Sequence, residues 1–134
     1  VRKSYLALVH GIVGENEGRV DKPLRQFGSG RMGVDTGGGK ASLTTFEVME
    51  RFASHTLLRV YPLTGRRHQI RVHLYSIGHP IVGDLRYGDK AVQSRFPRLM
   101  LHATAVSLRL PSGKEVIIEA PVPQSFQKEI EVAL

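Results

Sequence analysis

The sequence predicts a single domain of the α+β class, in which helices pack on a mixed, mainly antiparallel sheet. Three observations lead to this prediction. The chain has 134 residues, which is enough for one hydrophobic core but not for two. Segments rich in apolar and β-branched residues occur in neighbouring pairs joined by short turns, as in β-hairpins. Two segments with helical features lie among and after these strands, and this order of elements is typical of α+β domains.

Five segments are predicted to be strands. The first, KSYLALVHG, is rich in apolar and aromatic residues and ends at Gly11. The second, ASLTTFEVMERF, alternates partly between two faces, and TLLRVYPL follows it as a hairpin partner. The last two flank a PSG turn and form a second predicted hairpin. The five segments are residues 3–11, 41–52, 56–63, 102–110 and 114–120.

Two segments are predicted to be helices. In residues 64–78, Thr64 is a favourable N-cap, and Gly78 stands where a C-terminal glycine cap would fall. Between them, apolar residues recur at i, i+4 and i+7, so this face is expected in the core. The residues of this face are Ile70, Leu74 and Ile77. Two prolines end the last strand, and residues 124–134 are predicted to form a closing helix.

Residues 28–40, GSGRMGVDTGGGK, are rich in glycine. Fixing so much free backbone costs conformational entropy, so we predict a flexible loop. Its cations Arg31 and Lys40 are predicted to reach the phosphates of a nucleic acid. The segment does not fit the P-loop pattern, because Val34 and Ala41 stand where that pattern requires Gly and Ser or Thr.

The composition points to a polyanionic partner. Nineteen Lys and Arg against twelve Asp and Glu give a formal net charge of +7. RNA or DNA is the commonest partner for such an excess, and a merely soluble basic surface is the alternative. The chain has no cysteine, which excludes disulfides, thiolate nucleophiles and cysteine zinc sites. With no signal peptide and no long apolar run, we expect no membrane association and a cytoplasmic location.

The segment TGRRHQIRVH concentrates positive charge at the start of the predicted helix. Arg67 and Arg71 would share a helix face at the border of the core, where a partly buried guanidinium needs a carboxylate or phosphate. Arg66 and Arg67 in a first turn would oppose the helix dipole, so an anion is expected nearby. Surface arginines that merely solvate the helix start are the alternative.

The histidines do not form a metal-binding pattern. His68 and His73 are five residues apart and would point about 140° apart around a helix, whereas a zinc-binding helix places its histidines at i and i+4. We therefore predict no metal site. A metal hydrolase that uses the histidines is the least favoured of the functions considered.

Residues 61–88, YPLTGRRHQIRVHLYSIGHPIVGDLRYG, resemble a conserved block of the RluA-type pseudouridine synthases, which isomerise uridines in ribosomal and transfer RNA. Three further stretches resemble that family in the same order: KSYLALVHG, GKASLTTFEV and LMLHATAVSLRLPSGKEVIIEAP. The resemblance spans nearly the whole chain. It implies a pseudouridine synthase-like fold, an isomerase activity on rRNA or tRNA, and no cofactor.

The resemblance also implies roles for individual residues. The family's active-site tyrosine, which contacts the target base and assists proton removal, falls on Tyr5. Its arginine, which pairs with the catalytic aspartate, falls on Arg71, and an aliphatic wall against the base falls on Leu101. The positions beside the helix entry, where RNA backbone contacts are expected, are Arg66, Arg67, His68 and Gln69.

The family's catalytic aspartate lies in a block of the form His-Arg-Leu-Asp, which this sequence lacks. The resemblance therefore implies an incomplete fold, with residues 1–134 as the C-terminal portion of a catalytic domain. We expect this chain alone to bind RNA weakly and to isomerise nothing. Asp84 matches a position outside the nucleophile role and is interpreted as a turn or cap residue. Without its neighbour, the strand at residues 3–11 would have an unpaired edge through which chains could self-associate.

A noncatalytic module that binds RNA or a partner protein on the same scaffold is the alternative function. It keeps the basic surface but not the nucleophile. The upstream reading frame distinguishes the two, because an enzyme requires the His-Arg-Leu-Asp block there.

Overall fold

Six antiparallel strands form one sheet in the computed structural model, which describes residues 2–109 and 111–133. The elements are β1 (Arg2–His10), β2 (Glu17–Asp21), β3 (Leu24–Gln26), β4 (Met32–Val34), β5 (Leu43–Arg51), β6 (His55–Pro62), α1 (Gln69–Ser76), α2 (Lys90–Gln93), β7 (Leu101–Arg109), β8 (Glu115–Glu119) and α3 (Gln124–Ala133). The sheet order is β2-β5-β6-β1-β7-β8, and β3 pairs with β4 in a separate hairpin. The predicted fold class is confirmed.

Strand β1 lies inside the sheet because it is apolar on both faces. Ala7, Leu8 and Val9 are each at most 2% exposed. The strand pairs with β6 on one side and with β7 on the other. The prediction that this strand has an unpaired edge is therefore wrong, and the outer strands of the sheet are β2 and β8. Self-association of the chain remains a prediction, but an unpaired edge of β1 no longer supports it.

The five predicted strands and both predicted helices are present, but their neighbours β2, β3, β4 and α2 were not predicted. The strands among them are three to five residues long, and β2 and β3 are mostly polar. Such short segments show little periodicity, and only their buried residues, such as Val20 and Leu24, tie them to the core. Positions 110 and 134, at the ends of two predicted segments, lie outside the described residues.

Helix α1 begins later than predicted. Its N-cap is His68, the one described non-glycine residue with a positive φ, at 55°. Arg66 and Arg67 therefore precede the helix, and the predictions that they occupy its first turn and that Thr64 is its N-cap are wrong. The predicted end is correct: Gly78 has a φ of 84°, and its N–H and that of the next residue bond back to the last turn as in a Schellman motif.

The glycine-rich segment is more ordered than predicted, because β4 lies within it. Leu24 and Met32 of the β3–β4 hairpin are buried against Val72 of α1 and Tyr87. Beyond β4, the carboxylate of Asp35 accepts the backbone N–H groups of two following glycines. The prediction of a loop is wrong for Met32–Val34, and the mobility of the remaining residues stays a prediction.

The core covers both faces of the inner strands. On one side, α1 contributes Ile70 and Leu74, which are at most 6% exposed, with Ile77 packed beside them, so the predicted apolar face is confirmed. Phe126 anchors α3 in the same core with no exposed surface. Among the helices in the described part of the chain, none is long and apolar enough to cross a membrane.

Candidate active site

A cleft of about 280 Å³ opens where β1, the start of β7 and the N-terminal end of α1 meet. It brings together most of the residues that the sequence singled out, although they come from distant parts of the chain. Its lining residues are Lys3, Tyr5, Pro62, Thr64, Gly65, Arg66, His68, Gln69, Ile70, Arg71 and Leu101. The structure thus places Tyr5, Arg71 and Leu101 in one site. We call it the active-site cleft.

A β-bulge presents Tyr5 in this cleft. The register between β1 and β7 shifts between Ser4 and Tyr5, so that Tyr5 faces Ala103 while Ser4 faces Ala105. The extra residue, Thr104, donates its hydroxyl to the carbonyl of Ser4 at 3.0 Å and holds the irregularity in place. Bulges commonly re-aim side chains next to active sites. The tyrosine hydroxyl makes no hydrogen bond with any described residue, which leaves it available to a ligand.

Arg71 is held by a carboxylate of its own chain. Its Nε and Nη2 donate to the two carboxylate oxygens of Asp84, each at 2.8 Å. The Arg71 side chain is 21% exposed and the Asp84 side chain is fully buried. A bidentate pair of this kind fixes the plane of the guanidinium as well as its position. Arg71 therefore enters the cleft as an oriented group whose remaining N–H donors can serve a second anion.

Asp84 is ionised in this setting. Burial raises the pKa of its carboxyl, but hydrogen bonds from Arg71 and from the backbone N–H of Tyr87 and Arg86 outweigh burial and lower the pKa below its ordinary value. Those two N–H groups donate to the same oxygen at 3.0 Å, so the prediction of a turn or cap residue is confirmed. The ion pair with Arg71 was not predicted, because the sequence directed that arginine to an aspartate outside the chain.

Tyr87 supports both Arg71 and the hairpin. It is 1% exposed, and the Arg71 guanidinium carbon lies 5.1 Å from its ring centroid. Its hydroxyl accepts the backbone N–H of Met32 in β4 and lies 2.8 Å from Nδ1 of His68. Burial, followed by the charges of Arg71 and Arg67, lowers the pKa of His68. A neutral His68 whose Nδ1 accepts from the tyrosine fits all of these contacts.

Gln69 fastens the turn that leads into α1. Its amide oxygen accepts from the Thr64 hydroxyl and from the Arg66 N–H, and its amide nitrogen donates to the Leu43 carbonyl and to the Thr44 hydroxyl. The side chain is 4% exposed and its donors and acceptors are occupied. The geometry assigns Gln69 to holding the turn, and its contact with RNA stays a prediction.

The other predicted RNA-contacting cations lie in three different places. Arg66, whose Nε and Nη2 donate to the Ala41 carbonyl, lines the active-site cleft and also a second cleft beside it. Lys40 and Arg67 line only the second cleft. Arg31 lines neither and instead lies 4.9 Å from the ring centroid of Tyr87.

His73 does not take part in the site. Its ring is fully buried, with Nε2 donating to the Lys22 carbonyl at 2.8 Å and Nδ1 lying 2.7 Å from the Thr44 hydroxyl. Burial is the main cause of its lowered pKa. Both ring nitrogens are thus used in folding.

The cleft has the charge of an anion-binding site. Lys3, Arg66 and Arg71 line it, and its described lining includes no carboxylate. The apolar side chains of Ile70 and Leu101 line it together with Tyr5. This combination suits a planar base attached to a phosphate backbone. Among the described lining residues, none carries a carboxylate that could serve as a nucleophile.

Residues 1–76, more than half of the chain, match a family model described as RNA pseudouridylate synthase. The chain belongs to the RNA pseudouridylate synthase family. The resemblance noted in the sequence is thereby confirmed.

Curated relatives extend the match across the chain. "Ribosomal large subunit pseudouridine synthase C" of Salmonella typhi is 41% identical over 98% of this chain and 45% of its own length. "Ribosomal large subunit pseudouridine synthase D" of Haemophilus ducreyi is 36% identical over 98% of this chain and 44% of its own length. The chain thus spans less than half the length of these two relatives.

A solved structure shows the same architecture. "Human RNA Pseudouridylate Synthase Domain Containing 1" superposes with a TM-score of 0.82 at 29% identity, covering 98% of this chain and 65% of that one. The six-stranded sheet and the elements that carry the cleft are therefore a fold that other pseudouridylate synthase domains share.

Three features of the site were not predicted. They are the ion pair of Arg71 with Asp84, the buried Tyr87 beneath it, and the bulge at Tyr5. The spacing from Arg71 to Asp84 carries no periodic signal, because the two residues lie on different elements. The hint available in the sequence was that Asp84 is the first acidic residue after Arg71, following residues 72–83, which contain no Lys, Arg, Asp or Glu.

Proposed function

We propose that the active-site cleft binds a uridine of RNA and that the natural protein isomerises it to pseudouridine. The observation that carries this proposal is the convergence of Tyr5, Arg71 and Leu101 on one cationic cleft in a chain of this family. Each of the three lies on a different element, so their convergence is a property of the fold.

The proposed roles follow the family's chemistry. The uridine leaves its stack, which costs a few kcal/mol, and its base packs between the Tyr5 ring and the Leu101 side chain. The N-glycosidic bond breaks, the uracil turns, and it rejoins the ribose through C5 while the C5 proton is transferred to the uracil nitrogen. Tyr5 assists removal of that proton. The reaction as proposed uses no cofactor and no metal ion.

Arg71 is proposed to hold the catalytic carboxylate. Its Nε and one Nη2 hydrogen already bind Asp84, which keeps the guanidinium oriented before substrate arrives. The remaining donors would keep a second carboxylate ionised and aimed at the ribose. None of the chain's four aspartates lines the cleft, so we propose that the carboxylate comes from a part of the natural protein outside these 134 residues.

The proposed substrate is ribosomal RNA. Both curated relatives described above carry ribosomal large subunit names, and a net charge of +7 suits a long polyanion. Transfer RNA is the second substrate class implied by the family. A cytoplasmic location, where ribosomes lie, is proposed as well.

The proposal is tested by assaying pseudouridine formation on a uridine-containing transcript. We expect the protein translated from the complete reading frame to form pseudouridine, and its Arg71→Lys and Tyr5→Phe variants to form much less. The 134-residue chain should bind the transcript without converting it. Its affinity should fall with salt, by about 0.7 to 0.9 in log K per phosphate contact for each decade of salt. Pseudouridine formation by the 134 residues alone would show that the carboxylate proposal is wrong.

A noncatalytic RNA-binding module is the second candidate, and the lack of a carboxylate in the described cleft lining favours it. If the complete reading frame supplies no acid to the cleft, binding should persist and no pseudouridine should form with any transcript. The same assay therefore distinguishes the two functions.

A further inference from the structure

A second cleft, of about 390 Å³, lies directly beside the active-site cleft. Its walls come from the β3–β4 hairpin, from residues 38–40 and from the turn at residues 65–67. The two clefts share part of their lining, namely Gly65 and Arg66. They are therefore neighbouring compartments separated by one turn of backbone.

The second cleft combines unpaired cations with an apolar floor. Lys40 and Arg67 are exposed, and neither makes a hydrogen bond from its side chain or an ion pair with any residue in the described ranges. Leu24 and Met32, at 1% and 7% exposure, also line the cleft. No carboxylate belongs to the described lining. A phosphate with an attached base meets both kinds of surface here, whereas a simple anion would use only the cations.

Gly65 leaves the passage between the two clefts open. A Cβ at this position would meet nothing within 4 Å, so the ridge at Gly65 is bare backbone facing open space. Arg66 stands next to it, and its guanidinium is tied to the Ala41 carbonyl at 3.1 Å through Nη2. A polynucleotide can cross this ridge without meeting a side chain at Gly65, and a phosphate at the crossing would lie beside a pre-positioned guanidinium.

We propose that the second cleft binds the nucleotide directly adjacent to the target uridine in the RNA chain. The linking phosphate lies at Arg66, and Lys40 and Arg67 receive the backbone of the neighbouring nucleotide. This inference rests on the proposed function, because it requires that the active-site cleft hold the uridine. It makes the site at least two nucleotides long and gives the β3–β4 hairpin a part in reading the flanking residue.

The test compares uridine with two dinucleoside monophosphates, UpC and CpU, by NMR titration of the 134-residue chain. A strand has a direction, so only one isomer can place its uridine in the active-site cleft and its cytidine in the second cleft. We expect that isomer to bind about tenfold more tightly than uridine, as one charge-assisted contact would provide. It should also shift the amide signals of residues 38–40, which uridine alone should leave in place.

The variant Gly65→Val places a side chain on the ridge and obstructs the passage between the two clefts. The backbone at this position tolerates a side chain. The variant should lower the ratio of the affinity for the preferred dinucleoside monophosphate to the affinity for uridine from about ten toward one. The matched control is Gly14→Val, because a Cβ there also meets nothing within 4 Å and Gly14 lines neither cleft. The control should keep the tenfold ratio, and a circular dichroism melt of both variants shows whether each is folded.

The outcomes separate this inference from the proposed function. If UpC and CpU both bind like uridine, or both gain equally, the adjacent-nucleotide site is wrong, since equal gains indicate only general attraction to the phosphate. If uridine itself shifts no amide around the active-site cleft, the proposed function fails instead. Loss of the ratio in the Gly14→Val control would also overturn the inference.

Discussion

Replacing Asp84 by Asn should destabilise the fold strongly through the loss of one charge. The Asn oxygen can still accept the N–H groups of Arg86 and Tyr87, which both donate to a single carboxylate oxygen. The other oxygen, which accepts from Nε of Arg71 at 2.8 Å, becomes an amide NH₂ that faces a donor. The substitution therefore removes the ion pair while the turn keeps its hydrogen bonds.

The size of the effect follows from burial. Removing one partner of a buried ion pair costs about 3–5 kcal/mol, because the other charge stays behind without compensation. The Arg71 side chain is 21% exposed, so water recovers part of that cost and the lower end of the range applies. We expect a loss of about 3 kcal/mol, which a domain of ordinary stability, about 5–15 kcal/mol, survives in the folded state.

Urea unfolding measures this loss, with an expected fall of the midpoint by about 1–2 M at an unchanged slope. Asp21→Asn is the control, since its pair with Arg19 spans 3.8 Å between side chains that are each 66% exposed and should change stability by less than about 0.5 kcal/mol. Because the folded pKa of Asp84 is lowered, its contribution is present above the unfolded pKa of about 3.9 and is lost as the pH falls through the folded pKa. The gap between wild type and variant should accordingly narrow only below about pH 4. Equal stability of Asp84→Asn and Asp21→Asn at pH 7 would refute this reasoning.

Three further substitutions test other parts of the structure. Burial is the main cause of the lowered pKa of His73, so the stability that the neutral ring contributes is full above the unfolded pKa of about 6.5 and falls as the pH drops toward the folded pKa. His73→Gln should therefore reduce the drop in urea midpoint between pH 7.5 and 5.5. An unchanged drop would contradict this. Gly83→Ala should cost about 3 kcal/mol or more of unfolding free energy in urea, because φ is 82° and a Cβ would overlap the Arg98 carbonyl. The control Gly14→Ala, with open space around it, should cost less than about 0.5 kcal/mol, and equal losses would count against the argument. Tyr87→Phe leaves the backbone N–H of Met32 in β4 unsatisfied and should cost about 1–3 kcal/mol of unfolding free energy. Amide exchange in the β3–β4 hairpin should become faster, and unchanged exchange rates would show that the Tyr87 hydroxyl does not hold the hairpin in place.

Strand segments and the apolar face of α1 could be predicted because they depend on local periodicity. The end of α1 at Gly78 was also predictable, since a left-handed cap favours glycine whatever the surroundings. The start was not. Thr64 has the chemistry of an N-cap, but its hydroxyl is engaged by Gln69 and by the Leu43 N–H, contacts between segments that no local pattern reveals.

The site could be predicted as a set of residues but not as a geometry. The resemblance to the family identified Tyr5, Arg71 and Leu101, and the structure brings them into one cleft. The requirement of Arg71 for a carboxylate followed from its expected burial. Which carboxylate meets it depends on how the loop after α1 folds back, and that placed Asp84 beneath the guanidinium. Tertiary packing determines which carboxylate meets Arg71, and the spacing of residues along the sequence does not reveal that packing.

The bulge that presents Tyr5 has a consequence for the order of folding. It exists only when β1 is paired with β7, whose residues are made long after those of β1. Contacts between such distant segments form late, because closing a long loop costs entropy before any pairing repays it. A nascent chain that has not yet released β7 from the ribosome therefore holds its tyrosine on an unfinished sheet. The cleft is therefore complete only after β7 has been synthesised and has paired with β1.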